Sequence, residues 1–312
     1  MTEPTPPAPE TRTPETRTLE RPGATLTYDV RGDLASPGER PVVLLIGSPM
    51  GASGFPSLAA GLTDRVVVTY DPRGAERSTR SDGEGELTPD VHGEDLAALI
   101  TEVRREVPAG APALDVFASS GGAVNALALV AAHPDAVGTL VAHEPPLCAI
   151  LPDAGHALAA VEAVHVTYLR DGWGAALAGF IALTQHRGEI TDAFLARPFP
   201  DPAAFGLPGH DDGSRGDALL GQNLRGCCRY QPDAEAVRAA ATRVVVAVGE
   251  ESATPGEGAE LARRGGEALA GLLGVEPVVV PGGHNGFQGP EFGMPGRPVE
   301  FAAALREILD AE

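Results

Sequence analysis

Ser120, His284 and one of three glutamates, Glu144, Glu250 or Glu251, are residue types that together could cleave a carbonyl compound. A serine hydroxyl is a weak nucleophile until a base takes its proton. Imidazole suits that task because its ordinary pKa lies near neutrality. A carboxylate then fixes the tautomer of the ring and stabilises its charged form. Around the serine, Ala118-Ser119-Ser120-Gly121-Gly122 has the form small-x-Ser-x-small, whose small neighbours tolerate a serine held in a strained turn. Such a turn lifts the hydroxyl above a sheet. It also leaves the Gly121 N–H at a helix N-terminus, aimed at developing negative charge. Taken alone, Ser-Ser-Gly-Gly also has the composition of a plain flexible turn.

These residues need elements to position them. Leu114 to Ala118 is an apolar run of strand type, and an alanine-rich helical pattern follows the serine as far as His133. Pro41 to Ile46, Arg65 to Tyr70, Gly138 to His143, Arg243 to Val248 and Glu276 to Val280 are further strands, apolar as if buried on both faces. Ala24 to Val30 alternates like an edge strand after a Pro22-Gly23 turn. Helices are predicted from Pro89, capped by Thr88, to about Val107, from about Gly256 to Leu273, and from Val299 to Leu309. Strands that alternate with helices predict an α/β fold, a mostly parallel sheet covered on both faces.

The alternation fails between Leu147 and Thr242. Helical patches at Leu158 to Leu169, Trp173 to Thr184 and Asp233 to Ala241 lie between loops rich in Pro, Gly and Asp. Residues 147–242 are therefore expected to form an inserted helical lid, and residues 19–146 and 243–312 the core. Residues 1–18, rich in Pro, Thr and Glu, are expected to be a disordered tail.

Chemistry in such a sheet gathers at the carboxyl ends of the strands. Ser120, Glu144, Glu250 with Glu251, and His284 each follow a strand. Among the histidines, His284 stands apart: it lies in the Gly-rich loop Pro281-Gly282-Gly283-His284, just past the last buried strand. His92 and His133 belong to helices, and His156, His165, His186 and His210 to the lid.

On these residues, and on the order Ser, acid, His along the chain, the sequence resembles the α/β-hydrolase family from about residue 20 onward. Gly47-Ser48-Pro49 looks like the oxyanion loop of that family, with Ile46 where histidine is usual. The resemblance implies that the Ser48 N–H joins the Gly121 N–H in an oxyanion hole. Asp71-Pro72-Arg73-Gly74 with Arg77-Ser78 looks like the Asp-x-Arg-Gly loop, which implies a scaffold ion pair for Arg73. The acid departs from the usual pattern. The family places Asp in Gly-x-x-Asp after its seventh strand, but Gly249-Glu250-Glu251-Ser252 puts Ser252 there. A branch that includes haloalkane dehalogenases places a glutamate after strand six, reached through Asn-Pro-Glu-Arg-Val. Here His133-Pro134-Asp135-Ala136-Val137 leads with equal spacing to Glu144. Glu144 is the expected acid, Glu251 the runner-up, and Glu250 stands behind it.

That branch uses an aspartate nucleophile on carbon–halogen bonds and epoxides, so Ser120 implies acyl transfer instead. The resemblance implies a serine hydrolase cleaving a small or medium carboxylic ester, lactone or thioester, with no metal or organic cofactor. Met50, Tyr168, Trp173 and Phe180 are expected at the wall of an acyl pocket. Carbon–carbon bond hydrolysis, aminopeptidase, perhydrolase and acyltransferase chemistry use the same triad and stay open. The non-enzymatic alternative, a ligand receptor or scaffold, usually lacks the serine or the histidine.

Composition narrows the partners. The 312 residues carry a formal charge of −20, from Asp+Glu 43 against Lys+Arg 23, which argues against nucleic acid and anionic membranes. Every basic residue other than histidine is arginine. The three cysteines, Cys148, Cys227 and Cys228, form no disulfide framework and have no metal-ligand spacing. No apolar run is long enough to span a bilayer, and the N-terminus lacks a signal-peptide core. A cytoplasmic protein with a small-molecule substrate is expected, of unassigned oligomeric state.

Overall fold

The computed structural model describes residues 13–311 except residues 84, 294 and 295. The first element is a hairpin of β1 (Glu15–Arg21) and β2 (Ala24–Arg31), paired from Glu15↔Val30 to Arg21↔Ala24 across Pro22-Gly23. The expectation of a disordered tail over residues 1–18 is corrected at its end, because Glu15 to Thr18 are strand. Their polar side chains find partners that composition does not record. Thr16 Oγ1 donates to Asp29 at 2.6 Å and Arg17 pairs with Glu106 at 2.5 Å. Residues 1–12 of that segment lie outside the described residues.

There follow β3 (Val43–Ile46), α1 (Pro56–Ala60), β4 (Val67–Tyr70), the short β5 (Thr79–Arg80), α2 (Pro89–Arg104), β6 (Asp115–Ser119), α3 (Gly121–Ala132) and β7 (Thr139–His143). A helical segment comes next: α4 (Ala154–Asp171), α5 (Trp173–Thr184), α6 (Asp192–Leu195), a π-helical turn at Ala218–Asn223, α7 (Leu224–Arg229) and α8 (Ala234–Ala239). The chain ends with β8 (Arg243–Gly249), a small hairpin of β9 (Ala253–Thr254) and β10 (Gly258–Ala259), α9 (Leu261–Leu273), β11 (Val278–Val280) and α10 (Pro298–Asp310). The helix expected from Gly256 thus begins at Leu261. Gly256 and Gly258, at φ of 86° and 98°, turn the small hairpin instead.

The main sheet runs β1-β2-β4-β3-β6-β7-β8-β11, with β5 beside β2. It is parallel from β4 to β11 and antiparallel at β1 and β2. The period-2 alternation of strands divides its apolar runs between two cores. Leu44, Ile46, Val116, Ala118, Leu140, Ala142 and Val246 face α2, α3 and α9. Val43, Leu45, Phe117, Val141 and Ala247 face α1 and α10, where Phe301 and Leu305 close the layer. The helical segment has a third cluster of its own, built on Val161, Val164, Tyr168, Leu183 and Leu220. Its later parts rejoin the sheet, since Cys227 of α7 and Val237 of α8 lie in the first core.

The chain leaves β3 toward β4 on one side and leaves β6 toward β7 on the other. The connections therefore diverge between β3 and β6, and a crevice opens above their carboxyl ends. Ser48 follows one of these strands and Ser120 the other.

Candidate active site

Ser120 joins β6 to α3 with φ of 57° and ψ of −129°. A non-glycine residue held there costs roughly 1–3 kcal/mol, which the surrounding packing must offset. Its N–H donates to the His143 carbonyl at 2.9 Å, and its carbonyl accepts from the Ala123 N–H at 3.0 Å. Ala118, Ser119, Gly121 and Gly122 are all buried around it. At Gly121 the absence of a side chain is required. A Cβ there would lie 2.6 Å from the Ser48 carbonyl oxygen and 3.1 Å from Cys227 Sγ. The loop after β3 is thus packed directly on the turn. As the first residue of α3, Gly121 has an N–H that no helical carbonyl can accept. Ser48 is buried too, and its hydroxyl has no partner among the described residues.

Glu144 sits one residue past β7 with φ of 46° and is fully buried. Its N–H donates to the Ala247 carbonyl at 3.1 Å. Its Oε1 accepts from the Gly249 N–H at 2.8 Å, and its Oε2 lies 2.7 Å from His284 Nδ1. Burial alone would raise the Glu144 pKa, but the His284 hydrogen bond, the His143 and His284 charges and the Gly249 N–H outweigh it and bring the carboxyl to about 2. Burial likewise disfavours a charged His284, and here the Glu144 hydrogen bond and charge, with Glu260 adding to them, win and raise the imidazole above its ordinary value. The carboxylate partner fixes the proton on Nδ1 and leaves Nε2 as the basic nitrogen.

His143 ties these groups together. Its carbonyl holds the Ser120 N–H, and its ring stacks on that of His284, 6.0 Å between centroids at 21°. Among the described residues Ser120 Oγ and His284 share no hydrogen bond. Such contacts are often long before substrate binds and tighten in the complex. A serine–histidine side-chain contact does lie beneath: Ser119 Oγ is 3.1 Å from His143 Nδ1. Both residues are buried, and burial drives the His143 pKa down to about 4. His143 is therefore a neutral ring with little basicity, and among the described residues no carboxylate orients it.

A family model described as alpha/beta hydrolase fold matches residues 40–169. The chain has the α/β-hydrolase fold. The uncharacterized hydrolase YraK of Bacillus subtilis (strain 168) is 35% identical over 136 residues, 43% of this chain and 46% of that protein, so the match spans less than half of the relative. Two solved structures carry the likeness over nearly the whole chain. A thermophilic esterase from Thermogutta terrifontis is 21% identical with a TM-score of 0.60, over 95% of this chain and 98% of that one. The enol-lactonase from Burkholderia xenovorans LB400 is 17% identical with a TM-score of 0.61, over 95% and 100%. At such identities the likeness speaks for the fold.

On this α/β-hydrolase fold the other expected residues take various places. Glu250 and Glu251 are exposed and turn to Arg297, at 3.2 Å and 3.9 Å, rather than to His284. The Ser252 hydroxyl is buried without a partner among the described residues. Arg73 makes a buried two-point pair with Asp95, at 2.9 Å and 2.8 Å. Met50 is half-buried, and its sulfur lies 2.9 Å from the amide nitrogen of Gln288, on the loop that carries His284. Tyr168 lies wholly inside the helical segment's own cluster, with its hydroxyl accepting from the Asp217 N–H at 3.0 Å, and presents no surface to a ligand. Trp173 donates to Asp217 at 3.1 Å, and Phe180 packs on the same cluster. Among the described residues no group of three or more His, Cys, Asp or Glu could hold a metal ion, and no helix is long and apolar enough to cross a membrane. His143 belongs to no motif that the sequence shows. It does carry a signal, because it directly precedes the candidate acid Glu144 at a strand end.

A base role for His284 would require a neutral ring, so with that role activity should fall as pH falls through its raised pKa. The midpoint of the acidic limb of kcat/KM should lie above 6.5. A pH–rate profile on the free enzyme checks this, and a midpoint at or below 6.5 would contradict the Glu144–His284 coupling.

Proposed function

We propose that the chain is a serine hydrolase that cleaves a small or medium carboxylic ester, lactone or thioester through an acyl-enzyme on Ser120. The observation that carries the reading is the 2.7 Å contact between His284 Nδ1 and the buried Glu144, beside a serine strained to φ of 57°. His284 Nε2 takes the Ser120 proton, and the hydroxyl oxygen attacks the carbonyl. The N–H groups of Gly121 and Ser48 receive the oxyanion, where one donor is typically worth about 3 kcal/mol of transition-state stabilisation. The imidazolium, stabilised by Glu144, then protonates the leaving group. The same ring deprotonates the water that releases the acid. The helical segment serves as the lid, and Met50, with Trp173 and Phe180 more remotely, shapes the acyl pocket. The strain at Ser120, the close approach of Ser48 to Gly121, and a fold shared with an esterase and an enol-lactonase support ester or lactone cleavage. The substrate is a small molecule and the reaction uses no cofactor; the working compartment is the cytoplasm.

The test is a rapid-mixing assay with p-nitrophenyl acetate and butyrate. A burst of nitrophenolate equal to the protein concentration is expected, together with an acyl adduct on the peptide bearing Ser120. Hydrolysis no faster than in buffer, with no adduct, would refute the proposal.

A further inference from the structure

Among the described residues three that are not glycine hold positive φ, and two of them, Ser120 and Glu144, belong to the site above. The third is Glu76, at 47°, in the loop after β4. Nothing in the reaction assigned to Ser120 and His284 uses it. A backbone conformation that favours glycine, occupied by a long charged residue, indicates that the side chain itself is required.

That side chain reaches 25 residues back along the chain to the loop that carries Ser48. Glu76 Oε1 accepts from the Gly51 N–H at 2.8 Å and from the Ser53 hydroxyl at 2.7 Å, and Oε2 accepts from the Ser53 N–H at 3.4 Å. Between them, the Ala52 N–H donates to Asp71 Oδ1 at 2.8 Å. Asp71 Oδ2 is held by Arg77, at 2.5 Å from Nε and 3.2 Å from the backbone N–H. Arg77 in turn grips Asp29 with both terminal nitrogens at 3.1 Å. Three consecutive backbone N–H groups, directly after Ser48-Pro49-Met50, thus end on two carboxylates. Gly51 admits no side chain here, since a Cβ would lie 2.5 Å from Asp71 Oδ1 and 3.0 Å from Glu76 Cδ.

We propose that Glu76 is a positioning residue, which clamps residues 51–53 and thereby fixes where the Ser48 N–H points into the oxyanion hole. The inference rests on the hydrolase reading and adds a residue to it. An oxyanion donor acts through pre-organisation: it must already occupy its place when charge develops. Ser48 precedes the clamp by three residues, and among the described residues its hydroxyl has no partner. Asp71 is braced from the scaffold by Arg77, whereas Glu76 is the carboxylate that closes the loop on both sides of Ala52.

Two variants separate this role from plain stability. Glu76→Gly keeps the positive φ without strain and removes the carboxylate. Glu76→Gln keeps one acceptor oxygen. With p-nitrophenyl butyrate, Glu76→Gly should lower kcat about 10- to 100-fold while KM stays within about twofold, and Glu76→Gln should recover part of that loss. The melting temperature should hold, because relief of strain offsets the lost hydrogen bonds. Amide hydrogen exchange at Gly51 and Ser53 should quicken. A kcat within about twofold of the parent overturns the proposal, as does a slower enzyme whose exchange at those amides is unchanged. Should the glycine variant fail to fold, the same readouts on Glu76→Gln decide. A parent chain that hydrolyses no ester sinks the hydrolase reading alone, and hydrogen exchange still decides whether Glu76 fixes the loop.

Discussion

Replacing Ser120 with alanine is expected to lower kcat by about 10⁴- to 10⁶-fold and to abolish labelling by a fluorophosphonate, while the fold persists. The fold should persist because the Ser120 backbone, not its hydroxyl, makes the local contacts: its N–H holds His143 and its carbonyl holds the first turn of α3. Alanine keeps both and keeps the strain at φ of 57°. Glycine at the same position should also be inactive yet melt higher than the alanine variant, because it adopts that φ freely. The informative control is the adjacent serine. Ser119 is the serine whose hydroxyl lies against a histidine, at 3.1 Å, but it is buried, burial pushes that histidine down to about 4, and among the described residues no carboxylate aligns the ring. Ser119→Ala should therefore keep fluorophosphonate labelling. Labelling that survives in Ser120→Ala and vanishes in Ser119→Ala would move the nucleophile one residue and undo the assignment.

Much of this architecture is legible in the chain because buried strands advertise themselves. Val43 to Ile46, Val66 to Val68 and Val116 to Ala118 are wholly apolar runs with nothing to place on a wet face, and all are buried. The turn at Ser120 is legible for a related reason: only small residues survive beside a strained, crowded position. Local pattern fails where a partner distant in sequence decides. Glu15 to Thr18 look like tail because their polar side chains are satisfied by Asp29 and Glu106, 13 and 89 residues away. The helical segment has apolar stripes, but a stripe does not say whether Tyr168 faces a pocket or its own cluster, and it faces the cluster. Glu76 carries no signal, since neither its φ nor its reach to Gly51 is encoded in its neighbours. The residues alone leave three glutamates as the acid, and only the family resemblance ranks Glu144 ahead of Glu251 and Glu250. All three follow strand ends, and what distinguishes them is the register of β7 on β8 and the position of Arg297.

That ambiguity has a direct experimental consequence. Glu144→Gln is expected to lower kcat by about 10⁴-fold, the scale on which a wrong-tautomer histidine disables a serine site. The amide is nearly isosteric, so packing is kept, and the loss comes from hydrogen bonding. The Gly249 N–H, 2.8 Å from Oε1, selects the orientation that presents it with oxygen. The NH₂ must then face His284 Nδ1, where a carboxylate stood at 2.7 Å. A donor at Nδ1 drives the ring proton to Nε2, and the ring can no longer accept a proton from Ser120. Glu251→Gln alters an exposed group 3.9 Å from Arg297 and should leave kcat within about twofold. The acid limb of stability offers a second readout. A carboxyl held at about 2 against its ordinary 4.5 contributes stability that is present above 4.5 and is lost as pH falls toward 2. The parent should lose stability through that window, and Glu144→Gln, with nothing to titrate there, should lose less. Collapse of the rate in Glu251→Gln, with Glu144→Gln still active and both folded, would show that the buried pair with His284 is structural and that the acid is supplied from the strand beyond it.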